Sequence, residues 1–175
     1  SLAPFGLEPS IRLAIFLAAA LSLGGDSRGQ SLDEKSDRSP VDILLVDQER
    51  KLLALNQSAG SLSLVDINSG KILHEIPVGE HPTAMALLPA NEGGKVTKVA
   101  VTATYSGNLV ILVIDQNQLR VEQTIKVGFE PYGVAIDPNG REAYVSRVAT
   151  HDLAVIDLRV GKVVAKIPTP QWPRH

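Results

Sequence analysis

The chain has 175 residues, of which 44% are hydrophobic, and it carries a formal net charge of −2. This length and composition suit a globular domain with a substantial core. Because no positive field would attract a phosphate backbone, we expect no nucleic-acid partner. There is no cysteine, which excludes disulfides, thiolate metal sites and the cysteine attachment of c-type haem.

The first predicted element is an apolar segment in residues 1–24. Its centre is the uninterrupted run LAIFLAAALSL from Leu13 to Leu23, which follows Arg12. A membrane-spanning helix needs about 20 apolar residues, whereas the apolar region of a secretory signal peptide has about 7–15. We therefore predict a signal peptide, the alternative being an apolar N-terminal segment that packs as a helix.

Export would place the protein in the periplasm, outside the cell or on the surface of a bacterium, with no membrane span after leader removal. Residues 25–40 are rich in serine and in charges of both signs and contain almost nothing to bury. Such a segment cannot offset the entropy lost on ordering. We predict a flexible linker that ends near Pro40.

Residues 41–175 contain a repeat, in which three blocks share landmarks at spacings of 49 and then 42 residues. The landmarks are Asp66, Asp115 and Asp157, then Ile76, Ile125 and Ile167, and then Pro82, Pro131 and Pro173. Within each block, short runs of β-branched and apolar residues alternate with turn signals, which predicts four strands per repeat. Each repeating Asp ends a strand, where its carboxylate can accept backbone N–H bonds in the following turn.

Four strands that recur every 40–45 residues are typical of a propeller blade. The fold prediction is therefore all-β: a β-propeller with about three four-stranded antiparallel blades of an incomplete ring. We place blade 1 at about 41–79, blade 2 at about 82–128 and blade 3 at about 131–169, with the start of blade 4 at 170–175. The remaining blades would come from the same gene product or from another subunit.

The third repeat carries the motifs of a known family. Val134–Gly140 fits a strand and a Pro-Asn-Gly turn, Ala143–Ser146 stands where the tetrad YVTN is typical, and Val155–Asp157 with Gly161 and Lys162 completes the unit. Leu53–Asn56 and Val99–Thr102 replace the tetrad in the other two repeats. The chain from Val41 to His175 thus resembles the bacterial YVTN family of β-propeller repeats, and that resemblance implies an architecture more than an activity.

Candidate binding residues lie in predicted loops. With the strands of a blade labelled A to D outward, the D–A and B–C loops open on the same rim. Aromatic and polar loop residues there are candidates for binding a protein or a small ligand: His81, Tyr105, Phe129, Tyr132, His151 and Trp172. The alternative for the aromatic residues is packing over the end of a blade.

No pair of histidines has a spacing typical of a metal site, and no catalytic set emerges. We therefore expect a secreted or cell-surface module for protein or ligand binding that needs no cofactor and is not itself an enzyme. The alternative is the N-terminal part of a propeller enzyme or redox protein. It would be lactonase-like or joined to a haem domain, with its active residues beyond this chain.

Overall fold

The computed structural model describes residues 37–90 and 97–170. The predicted signal peptide, most of the predicted linker, Trp172 and almost all of the predicted start of blade 4 lie outside these residues. Within the described ranges every regular element is a β-strand, and no helix there has the length and apolarity to cross a membrane.

Twelve strands form three four-stranded sheets, and in each sheet the strands pair antiparallel in chain order. Blade 1 contains β1 (Pro40–Val46), β2 (Lys51–Asn56), β3 (Ser61–Asp66) and β4 (Lys71–Pro77). Blade 2 contains β5 (Pro82–Leu87), β6 (Thr97–Ala103), β7 (Asn108–Asp115) and β8 (Gln118–Lys126). Blade 3 contains β9 (Pro131–Ile136), β10 (Glu142–Arg147), β11 (Asp152–Asp157) and β12 (Lys162–Pro168). The predicted all-β fold of three four-stranded antiparallel blades is confirmed.

The blades stack face to face. The first strands contact one another (β1 with β5, β5 with β9) and so do the fourth strands (β4 with β8, β8 with β12), with closer contact among the first strands. Each blade is therefore a wedge whose first strand lies innermost. The three wedges form part of a propeller ring.

Two apolar cores fill the seams between blades. In the first seam, leucines of β2 and β3 pack against Val99 and Val101 of β6 and against Val110 and Leu112 of β7. The second buries Ala100, Leu109 and Ile111 against small and branched side chains of β10 and β11. Strand β7 has a neighbouring blade on both faces and therefore reads as an apolar run, NLVILVID, instead of an alternating pattern. Each fully buried Leu, Ile or Val side chain contributes roughly 1.5–3 kcal/mol.

A proline opens the first strand of every blade: Pro40 pairs with Asn56, Pro82 with Ala103 and Pro131 with Arg147. Pro40 is thus the blade 1 equivalent of the two later prolines, and β1 begins one residue before the predicted start of blade 1. The same register aligns Leu52–Leu55, not Leu53–Asn56, with the tetrads Val99–Thr102 and Ala143–Ser146, so the predicted alignment of the first tetrad was wrong by one residue.

The register of each first strand shifts directly after its proline, which marks a β-bulge. The backbone N–H groups freed by the bulge find hydroxyl acceptors on the second strand. Ala84 donates to Thr102 Oγ1 at 3.1 Å and Gly133 donates to Ser146 Oγ at 2.9 Å. A serine or threonine at the fourth tetrad position therefore fixes the bend at the entrance of blades 2 and 3.

Candidate ligand-binding rim

The D–A and B–C loops meet at one end of the blades, and we call the surface they form the loop rim. It consists of residues 57–60, 78–81, 104–107, 127–130 and 148–151. The two kinds of loop are joined by backbone hydrogen bonds at three equivalent points. These are Gln57 N to Ser39 O at 3.0 Å, Thr104 N to His81 O at 3.1 Å and Val148 N to Glu130 O at 3.0 Å.

The acceptor in each of these bonds is the residue before the blade-opening proline. Ser39, His81 and Glu130 have φ angles of 44°, 51° and 47°, in the left-handed region that non-glycine residues visit rarely. The following proline disfavours the right-handed helical region. The chain therefore turns sharply at these positions.

Two glycines let the D–A loops approach the next blade closely. Gly79 has φ +115° and Gly128 has φ +104°. A Cβ on Gly79 would lie 2.8 Å from Ala103 Cβ, and a Cβ on Gly128 would lie 2.8 Å from Arg147 Nη1. The rim thus has a floor of backbone between its projecting side chains.

Three of the six predicted site residues lie together on this floor. Tyr105 is 68% exposed and Phe129 is 78% exposed. The ring of His81 stacks on Tyr105 with a centroid distance of 4.3 Å and an interplanar angle of 8°. The structure therefore brings together a histidine of the first D–A loop, a tyrosine of the B–C loop of blade 2 and a phenylalanine of the second D–A loop.

Tyr105 separates two cavities. The cavity between blades 2 and 3 has a volume of about 340 Å³ and is lined by Tyr105, Phe129, Lys126 and Glu130 together with the glycines of the floor. The cavity between blades 1 and 2 has a volume of about 500 Å³ and includes His81 and Tyr105 in its lining. The Lys126 ammonium donates to Ser106 O at 2.8 Å, so the cavity between blades 2 and 3 joins an aromatic wall to polar groups.

Tyr132 lies elsewhere, because it follows the blade-opening proline and belongs to strand β9. Its carbonyl accepts from Thr102 Oγ1 at 2.7 Å, and its side chain lines a cavity of about 580 Å³. Asp42 and Tyr144 also line that cavity. The Tyr144 hydroxyl donates to Glu142 at 2.7 Å, and this hydrogen bond raises the pKa of Tyr144.

Sequence reasoning did not find Asp42, because Pro40 was interpreted as the end of a linker. The carboxylate of Asp42 accepts from its neighbour Ile43 N and, across the first seam, from Met85 N, both at 2.9 Å. The sequence carries one signal for this residue, because Pro40 can be interpreted as a third blade-opening proline. Asp42, two residues later, would then be assigned to an innermost strand.

His151 occupies the B–C loop position that Gly60 and Gly107 hold in the other blades, with φ +53°. Its Nδ1 is buried and has no hydrogen-bond partner within the described ranges. His151 and His81 belong to different seams. Residues 37–90 and 97–170 hold no group of three or more His, Cys, Asp or Glu side chains arranged to bind a metal ion.

Beneath the rim, an ion pair within blade 3 holds an arginine that also reaches blade 2. Arg147, which is 5% exposed, donates to both carboxylate oxygens of Asp152 at 2.7 and 2.6 Å and to Val127 O at 2.9 Å. Burial raises the pKa of Asp152, but hydrogen bonds from Arg147 and Thr150 outweigh that effect and hold this pKa below its ordinary value. The pair has a structural role because its groups are already satisfied by one another.

The fold is shared with many solved structures. A Kuenenia stuttgartiensis hydrazine synthase chain is 28% identical over 85% of this chain and 41% of its own length, with a TM-score of 0.67. The β-propeller domain of Myceliophteria thermophila Cps50 (Swd1) is 19% identical over 74% of this chain and 43% of its own, with a TM-score of 0.61. The Pseudomonas aeruginosa periplasmic gluconolactonase is 19% identical over 76% and 40%, with a TM-score of 0.60.

This chain spans about two fifths of the length of those structures. No family model matches it, and no curated protein matches it. The YVTN family assignment therefore stays a prediction.

The expectation that the chain is not an enzyme is contradicted by these comparisons. Several similar structures bear the names of lactonases, at 15–19% identity, so enzymes occur among the proteins with this fold. The absence of a catalytic motif in the sequence was too weak a reason to exclude catalysis, because a propeller can assemble a site from separate blades. The sequence and the structure together identify the chain as three blades of a β-propeller.

Proposed function

We propose that this chain contributes blades to an exported propeller whose loop rim binds a partner protein or a small ligand, with Tyr105 and Phe129 as anchors. The observation that carries the proposal is the exposure of these two rings on either side of one cavity of about 340 Å³. Aromatic side chains offer a large contact area at a low entropic cost and are enriched where partners bind most tightly.

The degree of exposure separates binding from the alternative of packing over a blade end. A ring that covers its own blade loses most of its accessible surface, whereas Tyr105 and Phe129 are 68% and 78% exposed. The stack on His81 also holds the Tyr105 ring in one orientation, which lowers the entropy that binding must overcome. This arrangement suits a preorganised contact surface.

The polar groups of the cavity favour a ligand with an apolar face and a polar edge, such as a peptide side chain or a sugar ring. Lys126 and Glu130 line the cavity beside the two aromatic rings. A periplasmic or cell-surface location, outside the cytoplasm, agrees with the apolar leader in the sequence. It also agrees with the periplasmic origin that the name of the Pseudomonas aeruginosa relative gives.

A displayed peptide library selected against the full chain tests the proposal. Enriched peptides should bind the Tyr105→Ala/Phe129→Ala variant at least 10-fold more weakly, because loss of anchor side chains typically costs about 2 kcal/mol or more. The matched control is Val160→Ala, which removes a 50% exposed side chain from a turn outside the loop rim. Equal binding to the wild type and the double variant would refute the anchor role.

Gluconolactone is the small ligand to test first, because one similar structure is named a gluconolactonase. We expect calorimetric binding of this lactone, or its hydrolysis measured by proton release, to decrease in the Tyr105→Ala/Phe129→Ala variant and not in Val160→Ala. If binding or hydrolysis is retained in the double variant, the lactone occupies another site.

A further inference from the structure

The two cavities on the loop rim are built to one plan. We call the cavity between blades 1 and 2 the first cavity and the cavity between blades 2 and 3 the second cavity. Val78 N donates to Gly60 O at 2.8 Å beside the first, and Val127 N donates to Gly107 O at 3.0 Å beside the second. A Cβ on either of these B–C loop glycines would lie 2.6 Å from the carbonyl oxygen of a D–A loop glycine. Neighbouring blades therefore repeat the same backbone frame.

The wall between the two cavities is a stack of two rings. Tyr105 lines both cavities, whereas His81 lines the first and not the second. The two rings stack with a centroid distance of 4.3 Å, so His81 covers the side of Tyr105 that faces the first cavity. The counterparts of Tyr105, two residues after the second strand of blades 1 and 3, are Ser58 and Ala149. Those side chains are too small to divide a groove.

Hydrogen bonds hold this wall in place. Tyr105 N donates to Glu80 O at 3.2 Å, and Glu80 N donates to Ser106 Oγ at 2.7 Å. The backbone beside the ring stack is thus fixed before a ligand binds, which reduces the entropy lost on binding. A ligand that spans the wall meets two cavities at a set separation.

The thickness of the stack sets the spacing between the ligand groups that enter the two cavities. Carbon atoms in contact lie about 3.5–4.0 Å apart. Groups that touch the two outer sides of a stack with a centroid distance of 4.3 Å are therefore separated by roughly 11–12 Å. An extended peptide advances by about 3.1–3.4 Å per residue. Side chains three or four positions apart span the wall, whereas adjacent side chains do not.

The charges of the two cavities differ. Glu80 is exposed and lines the first cavity, whose described lining contains no Lys or Arg. In the second cavity the charges of Lys126 and Glu130 balance, and the rings of Tyr105 and Phe129 supply apolar walls. The first cavity therefore favours a basic side chain and the second an apolar one. A neutral sugar chain would leave the Glu80 carboxylate without a complementary group.

We propose that the loop rim binds an extended peptide segment of a partner protein, with a basic side chain in the first cavity and an apolar side chain, three or four positions away, in the second. The inference rests on the proposed function of the rim and specifies its ligand. The basic group pairs with Glu80, and its aliphatic stem packs along the ring of His81. The apolar side chain packs between Tyr105 and Phe129.

A set of displayed peptide libraries tests the spacing. Each library fixes one arginine and one leucine at a separation of one to six positions and randomises the other residues. Selection on the full chain should enrich the libraries with a separation of three or four positions about 10-fold over the library with adjacent residues, because adjacent residues cannot bury the leucine in the second cavity. Enrichment that does not depend on the separation overturns the proposal.

Glu80→Gln distinguishes this inference from the rim function itself. The tightest selected peptide should bind this variant about 3–5-fold more weakly, and replacement of its arginine by citrulline should remove that difference. The matched control is Glu49→Gln, which removes an exposed carboxylate from the turn between β1 and β2 at the opposite end of blade 1. It should bind the peptide as the wild type does.

Three other outcomes overturn the inference. Equal binding of the peptide to Glu80→Gln and Glu49→Gln overturns it and leaves the rim function in place if Tyr105→Ala/Phe129→Ala still weakens binding. Undiminished binding to Tyr105→Ala/Phe129→Ala refutes the inference and the rim function together. Binding of a neutral oligosaccharide such as maltohexaose, with no peptide enriched from any library, would assign the rim to sugar chains.

Discussion

At the residue scale, one position shows how each seam is fastened. The second strand of the blades ends in Asn56, Ala103 or Arg147, and the side chains of Ala103 and Arg147 contact the preceding blade. Ala103 is small enough for Gly79 to approach it closely, whereas Arg147 donates to a carbonyl of blade 2 and forms the ion pair with Asp152. The side chain at this position therefore differs with the group that it contacts in the preceding blade.

Replacement of Arg147 tests the value of this ion pair. We expect Arg147→Met to lower the free energy of unfolding by about 3–5 kcal/mol, because it leaves the Asp152 carboxylate buried without its partner. Urea denaturation measures the loss. The double variant Arg147→Asn/Asp152→Ser copies the Asn56 and Ser61 pair of blade 1 and should recover part of it. A loss below about 1 kcal/mol in the single variant would contradict the argument.

A pair of glycines separates backbone strain from steric contact. Gly107 and Gly140 both have a φ of +66°, but a Cβ on Gly107 would lie 2.6 Å from the backbone oxygen of Gly128, whereas one on Gly140 would lie 3.4 Å from Pro89 Cδ. Gly107→Ala should therefore destabilise the protein by about 1–3 kcal/mol more than Gly140→Ala. Thermal unfolding of both variants checks this expectation, and equal losses would show that strain alone decides.

The candidate site could be predicted only in part from the sequence. Tyr105, Phe129 and His81 were found because loop aromatics next to turn glycines are visible in the letters. Tyr132 was expected on a loop but belongs to strand β9, which begins at Pro131. Asp42 was missed, because nothing local distinguishes Pro40 from a proline that ends a linker.

At the scale of the elements, the repeat spacing predicted four strands per blade, and the structure contains them. The bulges at the start of the blades were not predictable, because they depend on which residue of the second strand faces the freed N–H. The predicted turn role of the repeating Asp residues is seen at Asp66, which accepts from Ser69 N at 2.7 Å, and at Asp157, which accepts from Arg159 N at 2.8 Å.

The hydroxyl at the bulge of blade 2 has a measurable role. Thr102 Oγ1 accepts from Ala84 N and donates to Tyr132 O of blade 3. Thr102→Val keeps the shape but leaves both backbone groups without this partner, so we expect a loss of about 1–3 kcal/mol in urea denaturation. Thr124→Val makes the same change on an exposed strand and should have almost no effect. Similar losses of unfolding free energy in the two variants would show that the hydroxyl at the bulge does not stabilise the protein.

At the scale of the whole molecule, stability depends on seams more than on single sheets, because each sheet is covered only by its neighbours. Polar contacts within a blade add to this stability, and Glu75 on blade 1 is an example. Burial raises the pKa of Glu75, but hydrogen bonds from Arg38 and Ser61 outweigh burial and hold it below the ordinary value. Asp152 shows the same balance in the second seam.

These two carboxylates predict acid sensitivity. Their pKa values are lower in the folded chain than in the unfolded chain. Their stabilising contribution is therefore present above the unfolded pKa of about 4 and is lost as the pH falls through the lower folded values. Denaturation midpoints measured between pH 7 and pH 2 should fall below about pH 4. Asp152→Asn should flatten that dependence, and an unchanged slope would contradict the assignment.

The backbone bonds that hold the loop rim have a consequence for how such a protein diversifies. Ser39, His81 and Glu130 share one geometry, since only their carbonyl oxygens make the joining bond. The joining bond uses no side-chain atom at these three positions. Substitution there is limited by the left-handed backbone, which asparagine, aspartate and glycine tolerate best. Duplicated blades can therefore drift in surface chemistry while their scaffold stays constant, and a combinatorial library confined to these three positions should remain largely folded.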